Sequence, residues 1–394
     1  MIRRLLQQEV QQFIKIHEHD DLDALALKYR YVNDIDIRIV LDQVRGRQKA
    51  RGKLPGWYRC PGILYPPKIS MEQCSSEKTA RYKAGLVSGE ILMDLTGGFG
   101  VDTYYLSQSF AVTHYVEQDE WLYELARHNH KTLQSKIFHH RSDALDFVAN
   151  FDKKVGVAYL DPARRDAANK KVYRLEDCEP KVVQYLPQLL EKANQLLIKT
   201  SPLLDIDLTL QALQFVSSVH VISVSNEVKE VLYLVEKGAP SPRITAINFV
   251  DGKPPQAFEF TREEEKLSNI DFGPAGRYLY EPNAALMKAG AFRVIATRYD
   301  LKKIHPNTHL YTQDQLFPGF PGRKFEIEQV LPVDKKKVQP YLDNMKANVT
   351  TRNFPLSVDA LKKKLGIKDG GDTYLFGITG TNGAKRILLT RKVT

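Results

Sequence analysis

The chain lacks any apolar run near the roughly 18 to 20 residues that a membrane span requires. Its start, MIRRLLQQEVQQFIKIHEHD, is broken by charge and amides too early for a signal peptide. Together these absences point to a cytoplasmic protein with no membrane partner. Cysteine is scarce: Cys60, Cys74 and Cys178 are the whole set, an odd count without CxxC spacing. That excludes a disulfide framework and a cysteine zinc site. His128, His130, His139 and His140 lie close together, but no acid set stands around them at ligand spacing, so no metal is expected. Internal repeats and low-complexity tracts are missing too. GTNGAK at 380–385 has neither the spacing of a P-loop nor a Ser or Thr after its Lys.

What is present is a chain of 394 residues, 43% hydrophobic and 26% charged, too long for one ordinary core. The formal charge is +10, and residues 301–394 hold 17 Lys or Arg against 8 Asp or Glu. A polyanion such as RNA gains from such a field, while solubility alone also produces basic surfaces, and both readings stay open.

Four regions follow from the pattern. Residues 1–75 read as a small helical region (Leu5, Val10, Phe13, Ile14, then Leu22, Leu25, Ala26, Tyr29 at mixed three and four spacing) followed by a basic, Gly- and Pro-containing connector. That connector is either a solvated linker or a phosphate-contacting strip with Trp57 and Tyr58 free to stack on bases. From 76 to 272, short β-rich runs alternate with helical stretches: ILMDL, AVTHYVE, KIFHH, VGVAYLD, QLLIKT, VHVISVS, RITAINFV and QAFEFT. The alternation predicts a parallel sheet with covering helices. DGKPP between the last two runs predicts an antiparallel hairpin at its end. Residues 273–320 and 321–394 read as two small α+β modules divided near FPGFPGRKF, with a helix at LSVDALKKKLGI and a closing strand at DTYLFGIT.

The strongest local signal is ILMDLTGGFGVDTYYLSQ: an apolar strand ending at Asp94, then a turn with Gly97, Gly98 and Gly100, then an amphipathic helix. Glycines there let a backbone approach a ligand without Cβ obstruction. Glu117 lies 23 residues beyond Asp94, near the spacing expected of an acid that grips ribose hydroxyls. Asp143 follows the third run and Asp161 ends the fourth, in YLDPARRD. Ligands of doubly wound sheets bind beyond the carboxyl ends of the strands, so these four acids converge on one crevice. Each also has a local reading: Asp94 as a turn cap, Asp143 as a helix start, Asp161 as a turn before Pro162. A glycine-rich turn alone also fits a nicotinamide-cofactor protein, and that reading stays open.

These segments resemble the class I S-adenosylmethionine-dependent methyltransferases, with DLTGGFG as the first motif, VEQD as the ribose-binding acid, SDALDF as the adenine-edge acid and LDPA as the fourth motif. The resemblance implies α/β architecture: a Rossmann-like, seven-stranded class I methyltransferase domain between an N-terminal helical domain and the C-terminal modules. It implies S-adenosylmethionine as cofactor. Asp94, Thr96, Gly97, Gly98, Gly100 and Asp102 would serve its methionine end, Glu117 its ribose and Asp143 its adenine amino group. MEQCSSEKTARYKAG offers Ser75 or Ser76 as the N-cap of a helix whose start is expected to face the cofactor; Ser76 joins that set, with Gln73 and Thr79. Asp161 and Pro162 would form the transfer site, and Arg164 or Arg165 would hold a substrate phosphate or pair with an acid. DPAR departs from the DPPY pattern of amine-directed enzymes, so the target atom stays open. Cys178 reads as structural.

The end of the chain, through RNFPLS, LKKKLGIKDGG and TYLFG, resembles the THUMP-like domain attached to a group of bacterial class I methyltransferases, with a ferredoxin-like module before it. That implies structured RNA, tRNA or rRNA, held through Arg352, Lys362, Lys363, Lys364 and Lys368. Two alternatives remain: an RNA-binding or ribosome-assembly factor that no longer catalyses, and a methyltransferase for a small molecule or protein.

Overall fold

The computed structural model describes residues 1–164 and 174–393, which form two compact units: residues 1–217 with 232–240, and residues 218–231 with 241–394.

In the first unit five strands run parallel in the order Ala193–Thr200, Val155–Leu160, Gly89–Asp94, Phe110–Glu117, Ile137–Arg141. They are the five runs expected, and the core strands are apolar because both faces are covered. Leu92, Met93, Tyr115, Val116, Tyr159, Leu160, Leu196 and Ile198 are all buried. The order reverses at Gly89–Asp94, whose neighbours belong to opposite halves of the sheet, so a crevice opens beyond its carboxyl end.

The basic connector is neither linker nor stacking platform. A helix over Ile37–Lys53 takes up VRGRQKARGK, since Val40, Leu41, Val44 and Ala50 recur on one face and are buried. Gly46 lies within that face because any Cβ there would meet the Tyr65 Cβ at 2.2 Å. Its cations are largely answered by acids and carbonyls outside the segment: Arg47 pairs with Glu18 at 2.7 Å, Arg45 with Asp42 at 2.6 Å, and Lys53 donates to the carbonyls of Met71 and Glu72. Trp57 has no exposed surface and packs edge-on to Phe99 and Tyr104. Tyr58 donates to Glu18 and carries the Arg47 guanidinium over its ring. The N-terminal helices share one hydrophobic cluster with Phe99, Val101, Tyr105 and Leu125, directly behind the glycine turn.

In the second unit the part of Val216–Val224 from Ser218 onward runs parallel to Arg243–Phe249, which pairs antiparallel with Gln256–Thr261 in the hairpin expected at DGKPP. Nine long strands, not seven, lie between residues 89 and 261 among the described residues. One that no sequence run announced is Glu227–Glu236, whose apolar stretch VLYLV sits between charged ends. Its turn, Ser225 at φ 50° and Asn226 at φ 65°, has the two left-handed residues of a tight hairpin.

The C-terminal part of this unit is one seven-stranded sheet in the order Lys302–His305, Thr308–Gln313, Tyr278–Pro282, Gly322–Leu331, Lys385–Val393, Thr373–Thr379, Asn348–Arg352. Gly322–Leu331 pairs with Tyr278–Pro282 on one side and Lys385–Val393 on the other. The helix Val358–Leu365 is capped by Ser357 and stopped by Gly366 at φ 69°. GTNGAK is the turn between the last two strands. No helix among the described residues is long and apolar enough to cross a membrane.

Because Trp57 is wholly enclosed, Trp57→Ala should lower unfolding stability by about 3 to 5 kcal/mol. Urea denaturation checks this, and a change under about 1 kcal/mol would mean that the ring is not held as described.

Candidate functional site

A cleft of about 350 Å³ opens at the carboxyl ends of the parallel strands. It is lined by the glycine turn, by Glu117, Asp143 and Asp161 from successive strand ends, and by Gln73, Cys74 and Ser75 from the segment before the first strand.

The turn is built by close approach. A Cβ on Gly97 would sit 2.2 Å from the Tyr115 ring, and one on Gly100, at φ 84°, would sit 2.6 Å from His130 Nε2. Both positions therefore exclude any side chain. Tyr115 donates to the Gly98 carbonyl at 2.6 Å, and His130 Nε2 lies 2.8 Å from the Gly100 carbonyl. The His130 Nδ1 meets His139 Nε2 at 2.9 Å, and His114 meets His140 at 3.0 Å. Burial lowers His130 to about 3, and burial lowers His139 and His114 to about 4, so these rings are neutral packing partners at neutral pH. No group of three or more His, Cys, Asp or Glu able to hold a metal occurs among the described residues.

The acids differ in what they do. Asp94 is fully buried beneath the turn and does not line the cleft. Its carboxyl accepts from the Thr96 amide at 3.0 Å and from the Thr103 hydroxyl. Burial pushes it up to about 7, against the pull of those two donors. Glu117 accepts from the Gly98 amide and from the Asp119 amide, each at 2.8 Å, so backbone donors orient both its oxygens. Asp143 is exposed at the cleft and caps the helix Ala144–Asn150, accepting from the amides of Leu145 and Asp146.

Asp102 is buried at the start of the helix Val101–Leu106. It accepts from Ser75 at 2.8 Å and Tyr159 at 2.7 Å, and pairs with Lys83 and Lys199, each at 3.3 Å. Burial alone would raise it, but the two ammonium groups hold it well below the carboxylate range. Lys199 also reaches Asp161 at 2.5 Å, while the Asp161 amide donates to Thr96 Oγ1 at 2.6 Å.

The structure thus brings Thr96, Gly97, Gly98, Gly100, Asp102, Glu117, Asp143 and Asp161 to one cleft. Pro162 is buried and Asp94 lies beneath, neither lining it. Ser76 caps the helix Glu77–Ala84 by accepting from the Thr79 amide, and the adjacent Ser75 faces the cleft in its place. Arg164 has its backbone paired with Cys178, while its side chain and the whole of Arg165 fall outside the described residues. Cys178 is buried and free of any disulfide.

Sequence reasoning missed Lys199, Lys83 and Tyr159. A signal existed for Lys199: it is the penultimate residue of QLLIKT, and a charged residue near the carboxyl end of a parallel strand can reach the crevice. Lys83 carried no such signal, because its reach through the interior to Asp102 depends on the packing of its helix.

Comparison with known proteins finds methyltransferase relatives. A ferredoxin-like domain family matches residues 278–321, and a THUMP domain-like family matches residues 322–392. A crystal structure from Porphyromonas gingivalis W83, assigned to a methyltransferase, superposes with a TM-score of 0.84 at 33% identity and covers 98% of each chain. An uncharacterised S-adenosylmethionine-dependent methyltransferase of Mycobacterium tuberculosis is 24% identical over 330 residues, 82% of this chain and 87% of that protein.

The buried carboxyl beneath the turn predicts a pH effect. Asp94 binds its proton more tightly folded than unfolded, so its contribution to stability is fullest in acid and falls as pH rises from about 4 to about 7. Asp94→Asn keeps the shape and cannot ionise. Unfolding free energies of the two proteins should therefore diverge across that window in favour of the variant, and parallel curves would overturn the assignment.

Proposed function

The chain belongs to the S-adenosylmethionine-dependent methyltransferases that carry ferredoxin-like and THUMP-like regions at the C-terminus, and on that premise we propose that it methylates structured RNA, tRNA or rRNA, in the cytoplasm. S-adenosylmethionine supplies a methyl group on a sulfonium sulfur. The cleft suits such a nucleoside. Above Gly98 the nearest atom to a Cβ position is the Thr96 carbonyl oxygen at 3.8 Å, so the turn leaves room for a ligand against its backbone. Two carboxylates are available beyond it.

In this reading the turn from Thr96 to Gly100 receives the methionine end, with Asp102 fixing the start of the following helix. Glu117 accepts from the ribose hydroxyls, its oxygens already oriented by amides, and Asp143 accepts from the adenine amino group. Asp94 acts from below by holding the turn's shape. Asp161, with Pro162 behind it, faces the methyl acceptor, and Arg164 holds a phosphate. Transfer is a displacement at carbon, so alignment of the acceptor with the methyl group is the main requirement on these residues.

The observation that carries the choice of RNA is the lysine surface of the THUMP-like region. Arg352 and Lys362 are already engaged, Arg352 with Glu281 at 2.7 Å and Lys362 with Asp369 at 2.9 Å. Lys363, Lys364 and Lys368 are exposed, as are Lys335, Lys336 and Lys337 on the short helix Lys335–Val338 that packs beside Val358–Leu365. Clustered ammonium groups of this kind bind phosphates without reading sequence.

Two measurements test the reading. Calorimetry should find S-adenosylhomocysteine binding weakened on the order of tenfold or more in Glu117→Ala, the cost of one charge-assisted hydrogen-bond site; equal affinities would remove Glu117 from the ribose role. The triple variant Lys363→Glu, Lys364→Glu, Lys368→Glu should bind total tRNA more weakly and flatten the slope of log affinity against log salt by about two to three. Unchanged affinity and slope would place the RNA elsewhere or exclude it.

A further inference from the structure

We propose that Lys199 is a positioning residue for methyl transfer, clamping Oδ2 of Asp161 so that Oδ1 is presented to the proton of the methyl acceptor; this rests on the reading of Asp161 as the acceptor-facing acid.

The placement follows from strand register. Leu160 pairs with Ile198 in the parallel ladder, so Asp161 and Lys199 leave neighbouring strands side by side at the crevice. The lysine stands behind and the acid in front: the Lys199 side chain is 8% exposed, that of Asp161 36%. An ammonium has three donors. Those of Lys199 reach Asp161 Oδ2 at 2.5 Å, Asp102 Oδ2 at 3.3 Å and Ser75 Oγ at 3.3 Å. Asp102 is in turn gripped by Lys83, Ser75 and Tyr159, so Lys199 is anchored from the interior and cannot follow Asp161 outward. The Asp161 amide is tied to Thr96 Oγ1, which fixes the other end of the residue. Oδ2 and the amide are thus both held, on a side chain that stays 36% exposed.

A purely structural role, neutralising the buried Asp102, accounts for less. Lys83 already stands at 3.3 Å from that carboxylate, and the shortest contact of Lys199 is to Asp161 at 2.5 Å, not to Asp102. The arrangement has a use if Asp161 must carry charge and a set direction before the acceptor arrives. As the acceptor's lone pair takes the methyl carbon, the carbon–sulfur electron pair stays on sulfur, and one proton leaves the acceptor nitrogen or oxygen for Oδ1 and then passes to water. Burial pushes the Asp161 carboxyl above its ordinary range, and the Lys199 ammonium opposes that shift by favouring the charged form.

The groups facing Asp161 are Lys199, Asp102, Lys83 and Asp94. Lys199→Met removes the nearest cation and leaves the acids, so the Asp161 midpoint should move up by about one pH unit or more. Carboxyl carbon NMR of the free protein reads this directly, with Asp161→Asn identifying the resonance. The acidic limb of kcat, measured with methyl-labelled S-adenosylmethionine and total RNA from cells lacking the protein, should rise with it. Lys199→Arg, which keeps the charge, should restore both. If Lys199→Met does not fold, Lys199→Gln gives the same comparison. A midpoint that stays, or an acidic limb that stays while the midpoint moves, overturns the proposal. Full transfer by Asp161→Asn would instead remove the reading of Asp161 itself, whatever Lys199 does.

Discussion

The carboxylate of Asp102 is the constraint around which the cleft is assembled. An ion taken out of water costs several kcal/mol unless opposite charge and hydrogen bonds replace its hydration. Here the replacement comes from four separate stretches of chain: Ser75 before the helix Glu77–Ala84, Lys83 within it, Tyr159 on one parallel strand and Lys199 on the next. None is near Asp102 in sequence. Satisfying one buried acid therefore draws together the N-terminal side of the cleft, the helix after the glycine turn and two strand ends. It also places an ammonium against Asp161 without that being a separate requirement.

The glycine turn is the second constraint, and it works by exclusion. Tyr115 and His130 come so close that Gly97 and Gly100 admit no side chain, and both rings are held in place by hydrogen bonds to the turn's own carbonyls. Beneath it Asp94 holds the Thr96 amide; above it Glu117 holds the Gly98 amide. The turn is thus fixed from both faces before any ligand enters, which limits what binding must reorganise. The N-terminal helices add a third support through the cluster of Trp57, Phe99 and Tyr105, so the head of the chain belongs to the binding domain's core.

What was legible in the sequence was whatever depends on local spacing. Apolar runs ending at Asp94, Glu117, Leu160 and Thr200 disclosed the parallel strands, and the glycines with the acids at strand ends disclosed the crevice. The C-terminal modules were legible from ordered short segments. Less legible was anything decided by long-range packing. Asp94 and Asp161 look alike as acids at strand ends, yet one is sealed beneath the turn and the other opens on the cleft. The arginine-rich segment looks solvated until Glu18 and Asp42 are seen to answer Arg47 and Arg45. Glu227–Glu236 was hidden because its charged ends mask a short apolar centre, and because Ser-Asn is a weaker hairpin signal than Asn-Gly.

The strand Gly322–Leu331 joins the ferredoxin-like and THUMP-like regions, whose family matches meet between residues 321 and 322. Gly322 permits this junction, since the Glu281 carbonyl would lie 2.2 Å from any Cβ there. A boundary of descent therefore runs along a shared ladder of hydrogen bonds. Cutting the chain at that point would bare one edge of Tyr278–Pro282 and the facing edge of Gly322–Leu331, the two strands whose ladder the cut divides. The two regions can be told apart by ancestry but not traded separately between proteins: each inherits half of its sheet from the other.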